Sequence, residues 1–444
     1  MEKIQMQTPI VEMNGDEMTR IIWSMVKEML IEPYIDLNSV YFNLGQENVQ
    51  GTDGGVIIEA CEAVKKFGVG VKCASVNSAK TRSSICKALH GAAVFKMPLA
   101  ISGIKKNIPG WKEPVTIARE TAGISQEQEA NEKIRDYAFC CFDFALNEKK
   151  NLWLCTRENA GVYKDTFDEV YNQEFKESFA HAGITYTFLP AAESSGWALR
   201  SDGGYIWAMK NYDSDILSGF IAGAFSMPAM MINTISSTLG KYVIEPAHST
   251  GQRLFSMHMN GQETSANSVA TIFAWTKALR LRGKLDNNSA LVKWADDIEK
   301  SVNACVQNGF ITRDMAQYTE CAETHILNTY DFIKQVKAFY DGNAEPVKET
   351  VTEKATAAAP TFKVQQKKEE PDMEALYEAF FDERSYKKKR EILRQIGGNL
   401  TDKMITDFAV SLDVVVEDGN WETRYMSLMN ALNQMCRFET EGLR

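Results

Sequence analysis

The chain has 444 residues, 44% hydrophobic and 24% charged, a globular balance with length for two or three domains. That excludes a wholly disordered, collagenous or membrane-spanning chain. Its 49 basic and 59 acidic side chains leave a net charge of −10, which suits nucleic-acid phosphates poorly but allows a local anion site.

In chain order, residues 16–30 place Met18, Ile21, Ile22, Met25 and Met29 at helical spacing and predict an amphipathic helix. A second helix is predicted over 54–67. Strands are predicted from Gly68 to Lys72 and from Val115 to Ala118, and a long helix over 264–281, carrying Ile272, Phe273, Trp275 and Leu279. Helices alternating with short apolar runs define an α/β body. Residues 344–370 are rich in Ala, Thr, Lys, Glu and Pro and too poor in apolar groups to offset their ordering entropy, which predicts a linker. Beyond it the pattern is all helical. One helix is capped by Asp372, one runs over 385–396 and stops at Gly397-Gly398, and one follows Thr401. A last one carries Trp421, Tyr425, Leu428, Leu432 and Met435 as a core stripe. The run Lys387–Arg390 reads as a solvated face rather than an anion patch. Nine cysteines without a C-x-x-C pair, and an N-terminus without a signal or transit pattern, lead us to expect reduced thiols and a cytoplasmic protein.

Longer motifs carry a resemblance. The segments Pro9–Trp23 (PIVEMNGDEMTRIIW), Gly68–Ala74 (GVGVKCA), Ile108–Ile117 (IPGWKEPVTI) and Gly203–Asp213 (GGYIWAMKNYD) are similar to eukaryotic-type NADP-dependent isocitrate dehydrogenases. So are Gly261–Asn267 (GQETSAN), Ile272–Trp275 and Lys284–Asn288, and the likeness covers about residues 8–340. It implies a large α/β domain from 1–90 and 226–342, a small α/β domain over 91–225 and a reduced subunit clasp between Gln126 and Arg135; the linker, bounded at 343–371, and the separate all-α domain over 372–444 lie outside it.

Oxidative decarboxylation of a 2-hydroxy tricarboxylate needs a divalent metal on hard oxygen ligands, several cations for the carboxylates, and a titratable acid–base pair. Measured against the family, the metal pair is reduced to Asp215, with Gly219 where the second aspartate belongs and Glu193 the nearest substitute for the third. That donor set is short for Mg²⁺ or Mn²⁺. The segment that grips the substrate is absent between Arg82 and His90. Lys96 and Arg119 remain as substrate-binding candidates, and Glu120 replaces a histidine and is expected to repel a tricarboxylate. Gln126 stands for the acid–base tyrosine and Arg157 for its lysine, and arginine cannot give up a proton near neutral pH. Arg119 and Arg157 are what is left of the catalytic set.

The cofactor side is better kept. Glu245–Arg253 (EPAHSTGQR) resembles the family's nucleotide loop, so the resemblance implies NADP held by His248, Arg253 and Asn267, with Arg200 reaching across from a partner subunit. Leu254 and Trp197 depart from the pattern. The expectation is a catalytically degenerate homologue with a binding or scaffolding role. It has a protein partner for the C-terminal domain and a homodimer as its candidate assemblies, and no membrane or nucleic acid. The alternatives are an NADP(H)-dependent oxidoreductase acting on a smaller 2-hydroxy acid, and a nucleotide sensor. Retained isocitrate dehydrogenase activity is the less expected reading.

Overall fold

The computed structural model describes residues 2–121, 127–156, 161–225, 227, 230–343, 373–383, 385–396, 401–412, 414, 416, 424–425, 427–432 and 435. It divides into two units, Met1–Ala355 and Thr356–Arg444, each taken here by itself. The predicted linker, Asp372, Gly397-Gly398 and Trp421 lie outside the described residues.

The first unit is organised by one ten-stranded sheet. Its strands are β1 (Ile10–Asn14), β2 (Ser39–Asn43), β3 (Val69–Lys72), β4 (Gly91–Pro98), β5 (Thr116–Glu120), β6 (Leu152–Thr156), β7 (Tyr186–Pro190), β8 (Ile206–Met209), β9 (Met231–Ser237) and β10 (Lys241–Pro246), in the order β2-β1-β3-β10-β9-β4-β5-β8-β6-β7. Two parallel blocks, β2-β1-β3-β10 and β5-β8-β6-β7, flank β9 and β4, which pair antiparallel with each other. Strand β9 is also antiparallel to β10, and β4 to β5. The parallel strands β1 and β3 are buried throughout, as expected of strands covered on both faces, and their burial includes Glu12, Asn14 and Lys72.

Seven helices matter for the site: α1 (Glu17–Val26), α2 (Gly55–Phe67), α3 (Ser78–Leu89), α4 (Glu127–Glu148), α5 (Asn211–Phe225), α6 (Gln252–Met259) and α7 (Val269–Leu285). The predicted first helix is α1 followed by a π-helical turn over Lys27–Ile31. The helix expected from 264 begins five residues later. Asn267 Oδ1 accepts the Val269 N–H, while Thr264 O takes the Thr329 N–H, so this stretch is held open as a cap and a cross-link. Trp23 of α1 meets Trp275 of α7, centroids 4.7 Å apart, in a core that includes Leu279 and Trp294. A second core is centred on Phe142 of α4, ringed by Phe167, Phe175, Phe179 and Tyr186.

The second unit is helical: Met373–Asp382, Tyr386–Ile396 and Asp402–Leu412, with helical residues at 427–432. Thr401 Oγ1 accepts the Met404 N–H at 3.3 Å as the third helix starts. Phe380, Leu393, Phe408, Leu428 and Leu432 form its core. The basic run Lys387–Arg390 is not a uniformly solvated face. Lys389 is buried, its Nζ 4.8 Å from the Phe380 ring centre, because the apolar stem packs inward while Lys387 and Lys388 stay outside.

Candidate functional site

A cleft of about 790 Å³ opens over β4 and β5, walled by α3, α4 and α5. In the antiparallel register Val94 faces Arg119 and Lys96 faces Ile117. Lys96 and Arg119 are therefore diagonal neighbours on one face of the sheet. Asp215, from α5, reaches both. Its Oδ1 accepts from Lys96 Nζ at 2.7 Å and Arg119 Nε at 2.8 Å, and its Oδ2 from an Arg119 Nη at 3.0 Å. Ser218 Oγ takes a further Lys96 hydrogen bond at 3.0 Å. Burial raises the Asp215 pKa less than the Arg119 and Lys96 hydrogen bonds and charges lower it, so its net shift is downward. Burial, with Arg119 and Arg82 close by, lowers Lys96 despite Asp215.

Arg82 of α3 also lines the cleft. Its Nε donates to Glu245 Oε1, and its terminal nitrogens have no hydrogen-bond partner among the described residues. Glu245 is fully buried at the end of β10, where Lys72 Nζ reaches Oε2 at 3.0 Å and Asn233 Nδ2 reaches Oε1 at 3.0 Å. Burial pushes the Glu245 carboxyl up, but Lys72 and Arg82 outweigh it and hold it at about 2. Lys87, His90, Lys133, Glu132 and Asp136 complete the rim, so the cleft carries more positive than negative side chains in a chain of net charge −10.

Several expectations change here. Asp215, the remaining metal candidate, is bonded by two cations at once. Glu120 does not face the cleft. Strand alternation turns it to the opposite side of β5 from Arg119, where it is buried and accepts the Tyr163 hydroxyl at 2.6 Å. Burial pushes its pKa up, only partly offset by Tyr163 and Lys210. Glu193 lies exposed in the first turn of the helix Ala191–Arg200 and does not line the cleft. Gln126 and Arg157 lie outside the described residues. Of the carboxylate positions carried over for a divalent metal, Asp215 is the one that lines the cleft. Both Asp215 oxygens are committed, Gly219 has no side chain to offer, and no group of three His, Cys, Asp or Glu residues able to hold a metal occurs among the described residues.

The nucleotide-loop candidates stand apart from the cleft, and none of them lines it. Gly251, at φ 76°, caps α6, and Arg253 lies exposed in its first turn with no ion pair among the described residues. Thr250 Oγ1 donates to the carboxylate of Glu17, itself at φ 53°, and Thr250 O accepts the Thr19 N–H at 3.2 Å, so the loop is tied to the start of α1. His248 Nδ1 lies 2.9 Å from Ser249 O. Its Nε2 is buried without a hydrogen-bond partner among the described residues, and burial lowers its pKa. An orphaned ring nitrogen in the loop that leads to an exposed arginine in the first turn of a helix fits a phosphorylated nucleotide. Asn267 does not add to it: its oxygen caps α7 and its Nδ2 donates to Asp314 Oδ2 at 3.0 Å. Arg200 and Trp197 are exposed.

Sequence reading missed Arg82, Lys87, His90 and Lys133. The signal for Arg82 was the basic residue one helix turn beyond Ser78, on a helix that runs directly into β4 because the family's intervening segment is absent.

Fold and site together define an α/β protein whose ten-stranded sheet carries a cationic cleft. A family model described as isocitrate/isopropylmalate dehydrogenase matches residues 100–336. The NADP isocitrate dehydrogenase 1 of Mycobacterium tuberculosis (strain H37Rv) is 33% identical over 375 residues, covering 71% of this chain and 92% of that protein. The chloroplastic/mitochondrial NADP isocitrate dehydrogenase of Arabidopsis thaliana is 35% identical over 398 residues (76% and 82%), and the cytosolic NADP enzyme of that plant 33% over 400 (76% and 97%). The chain belongs to the isocitrate/isopropylmalate dehydrogenase family. No helix among the described residues is long and apolar enough to cross a membrane.

Proposed function

We propose that this chain is a non-catalytic member of its family that binds ligands without turning them over. The observation that carries the reading is the Asp215 ion pair: where the chemistry requires a metal beside the substrate carboxylates, the chain's own Lys96 and Arg119 are bonded to the one carboxylate kept at a metal position that lines the cleft. Without a Lewis acid the developing alkoxide is unstabilised. An arginine at 157 supplies no proton at neutral pH.

The relatives are named as NADP isocitrate dehydrogenases, so turnover is the reading to be tested against. Full-length protein with isocitrate, NADP and Mn²⁺ is expected to give no NADPH, and Mn²⁺ is expected not to shift its melting temperature. Gly219→Asp, at a position whose Cβ meets nothing within 4 Å, is expected to bring a Mn²⁺ response because it returns a second carboxylate one helix turn away. Robust NADPH formation by the unmodified chain would sink the proposal. Nucleotide binding is the second reading, favoured by the orphaned His248 Nε2. Arg253 would take a phosphate and His248 the adenosine side. NADPH fluorescence should saturate, and Arg253→Ala should weaken binding at least about tenfold, or 1.4 kcal/mol, as loss of a charge-assisted contact does.

A second copy of this chain is the partner proposed for the body, and the C-terminal unit is proposed to hold a further protein partner. Helix α5 is mainly apolar from Ile216 to its end, yet Ile216 and Phe220 are 59% and 56% exposed beside Gly219 and Gly223. A helix of that composition is normally covered. Light scattering is expected to report a dimer and Phe220→Lys a monomer; a monomeric unmodified chain would remove the dimer from the account. A cytoplasmic location is proposed with it, to be read from a tagged chain in cells.

A further inference from the structure

We propose that α4 is a releasable brace: it ties the two parallel blocks of the sheet together, and the pairs at its far end, Glu148 with Lys277 and Asp143 with Tyr242, hold its near end in place as a wall of the cleft. The inference is independent of the non-catalytic reading, because it concerns the position of that wall and not what happens inside it.

The attachments of α4 run from one block to the other. At its near end Glu132, Lys133 and Asp136 line the cleft. The next residue, the buried Tyr137, bolts the helix to the block that holds β5 and β8. Its hydroxyl donates to Ala118 O at 2.8 Å and accepts the Met209 N–H at 3.1 Å. Phe144 then stacks on Phe95 of β4, centroids 3.8 Å apart, and Cys140 Sγ lies 3.8 Å from Ser236 O of β9. The far end reaches the other block. The Tyr242 hydroxyl of β10 donates to Asp143 Oδ2 at 3.1 Å, and Lys277 Nζ, from α7 packed on β10, donates to Glu148 Oε1 at 2.5 Å. From Lys133 to Glu148 is about 22 Å of continuous helix, so the two ends move as one rod.

The place of release is Glu148. Its pair with Lys277 is sheltered, the two side chains being 21% and 15% exposed. The other charges acting on the pair are Lys150, Lys284 and Arg280, all positive, and Arg280 is itself held by Asp296 and Glu299. Burial raises the Glu148 pKa less than Lys277, Lys284 and Lys150 lower it. Lys150 follows α4 directly, whereas Lys277 and Lys284 stand on α7. With Glu148 neutral, like charges face each other across the contact and drive the end of α4 off α7. Asp143 is then the remaining carboxylate anchor between α4 and β10 among the described residues.

Two native thiols read the outcome. Cys86, on the α3 wall of the cleft, is 9% exposed, whereas Cys305 is fully buried in the largest core and reports unfolding. The full chain is treated with excess N-ethylmaleimide at fixed pH, and both cysteines are followed by peptide mass spectrometry in the unmodified protein, Glu148→Gln, Tyr242→Phe and the double variant. Glu148→Gln is expected to label Cys86 at least about tenfold faster with Cys305 unchanged, as in a local opening, and the double variant faster still. Tyr242→Phe, which removes one hydroxyl and keeps the ring, is expected to give about a twofold or greater increase and serves as the test if Glu148→Gln does not fold. An unchanged Cys86 rate in the folded variants overturns the inference. Cys86 and Cys305 rates that rise together overturn it as well, because the pairs are then ordinary stability contacts.

Discussion

Glu245→Gln is expected to destabilise the first unit by about 3–5 kcal/mol, the usual cost of leaving a buried charge without its partner. Lys72 is fully buried, and its only other acceptor among the described residues is the Cys73 carbonyl, at 3.1 Å. An amide in place of Glu245 would leave that ammonium uncompensated and free Arg82 from its fixed position. Removing both charges with Lys72→Met and Glu245→Leu should cost less than the single change, because no ion is then left in the core and Arg82 can reach water. Urea unfolding of the three proteins checks this, and a double variant worse than the single would refute the argument. The same carboxylate sets an acid limit. Glu245 titrates at about 2 in the folded chain against an ordinary value of 4.5. A depressed pKa stabilises the fold above the ordinary value, and the contribution is lost as pH falls through 4.5 toward 2. Its size is roughly 3 kcal/mol. In Glu245→Gln that part of the acid dependence should be absent.

Trp23→Ala is expected to cost a similar 3–5 kcal/mol, by a different mechanism. The indole is fully buried against Trp275, and its Nε1 donates to Glu12 Oε1 at 2.9 Å. Truncation opens a cavity in the largest core and strips a donor from a buried carboxylate, whose other oxygen stays with Lys27 at 2.8 Å. Trp23→Phe restores most of the volume but not the hydrogen bond, and should cost about 1–2 kcal/mol beyond the unmodified chain. Helix α1 also brings Glu17 to Thr250, so the alanine variant should loosen the nucleotide loop. Proteolysis near residue 250 should increase in parallel with the stability loss, and unchanged cleavage would separate the two.

The α/β body and the helical second unit were legible because apolar spacing and long motifs extend over many residues. The start of α7 was not, since Asn267 acts through a local hydrogen bond that competes with helix. Lys96, Arg119 and Asp215 were each singled out, but not their union. Residues 96 and 119 meet only through the register of β4 with β5, and Asp215 is brought in by a helix almost a hundred residues further on. Arg82 and Glu245, 163 residues apart, carry no local trace of each other. The orientation of Glu120 was within reach, because the alternation that turns Arg119 toward the cleft turns its neighbour away.

The β9–β4 seam has a mechanical consequence. Met231–Ser237 lies against Gly91–Pro98 over seven residue pairs, and this ladder is where the strands of 10–72 and 231–246 are joined to those of 91–209. One strand of that hydrogen-bonded ribbon, β4, is also part of the cleft floor. Any change in its width has to be stored as altered strand twist across that ribbon, with a restoring force. A cleft whose floor shares a strand with such a ladder resists widening more than one hung on loops would.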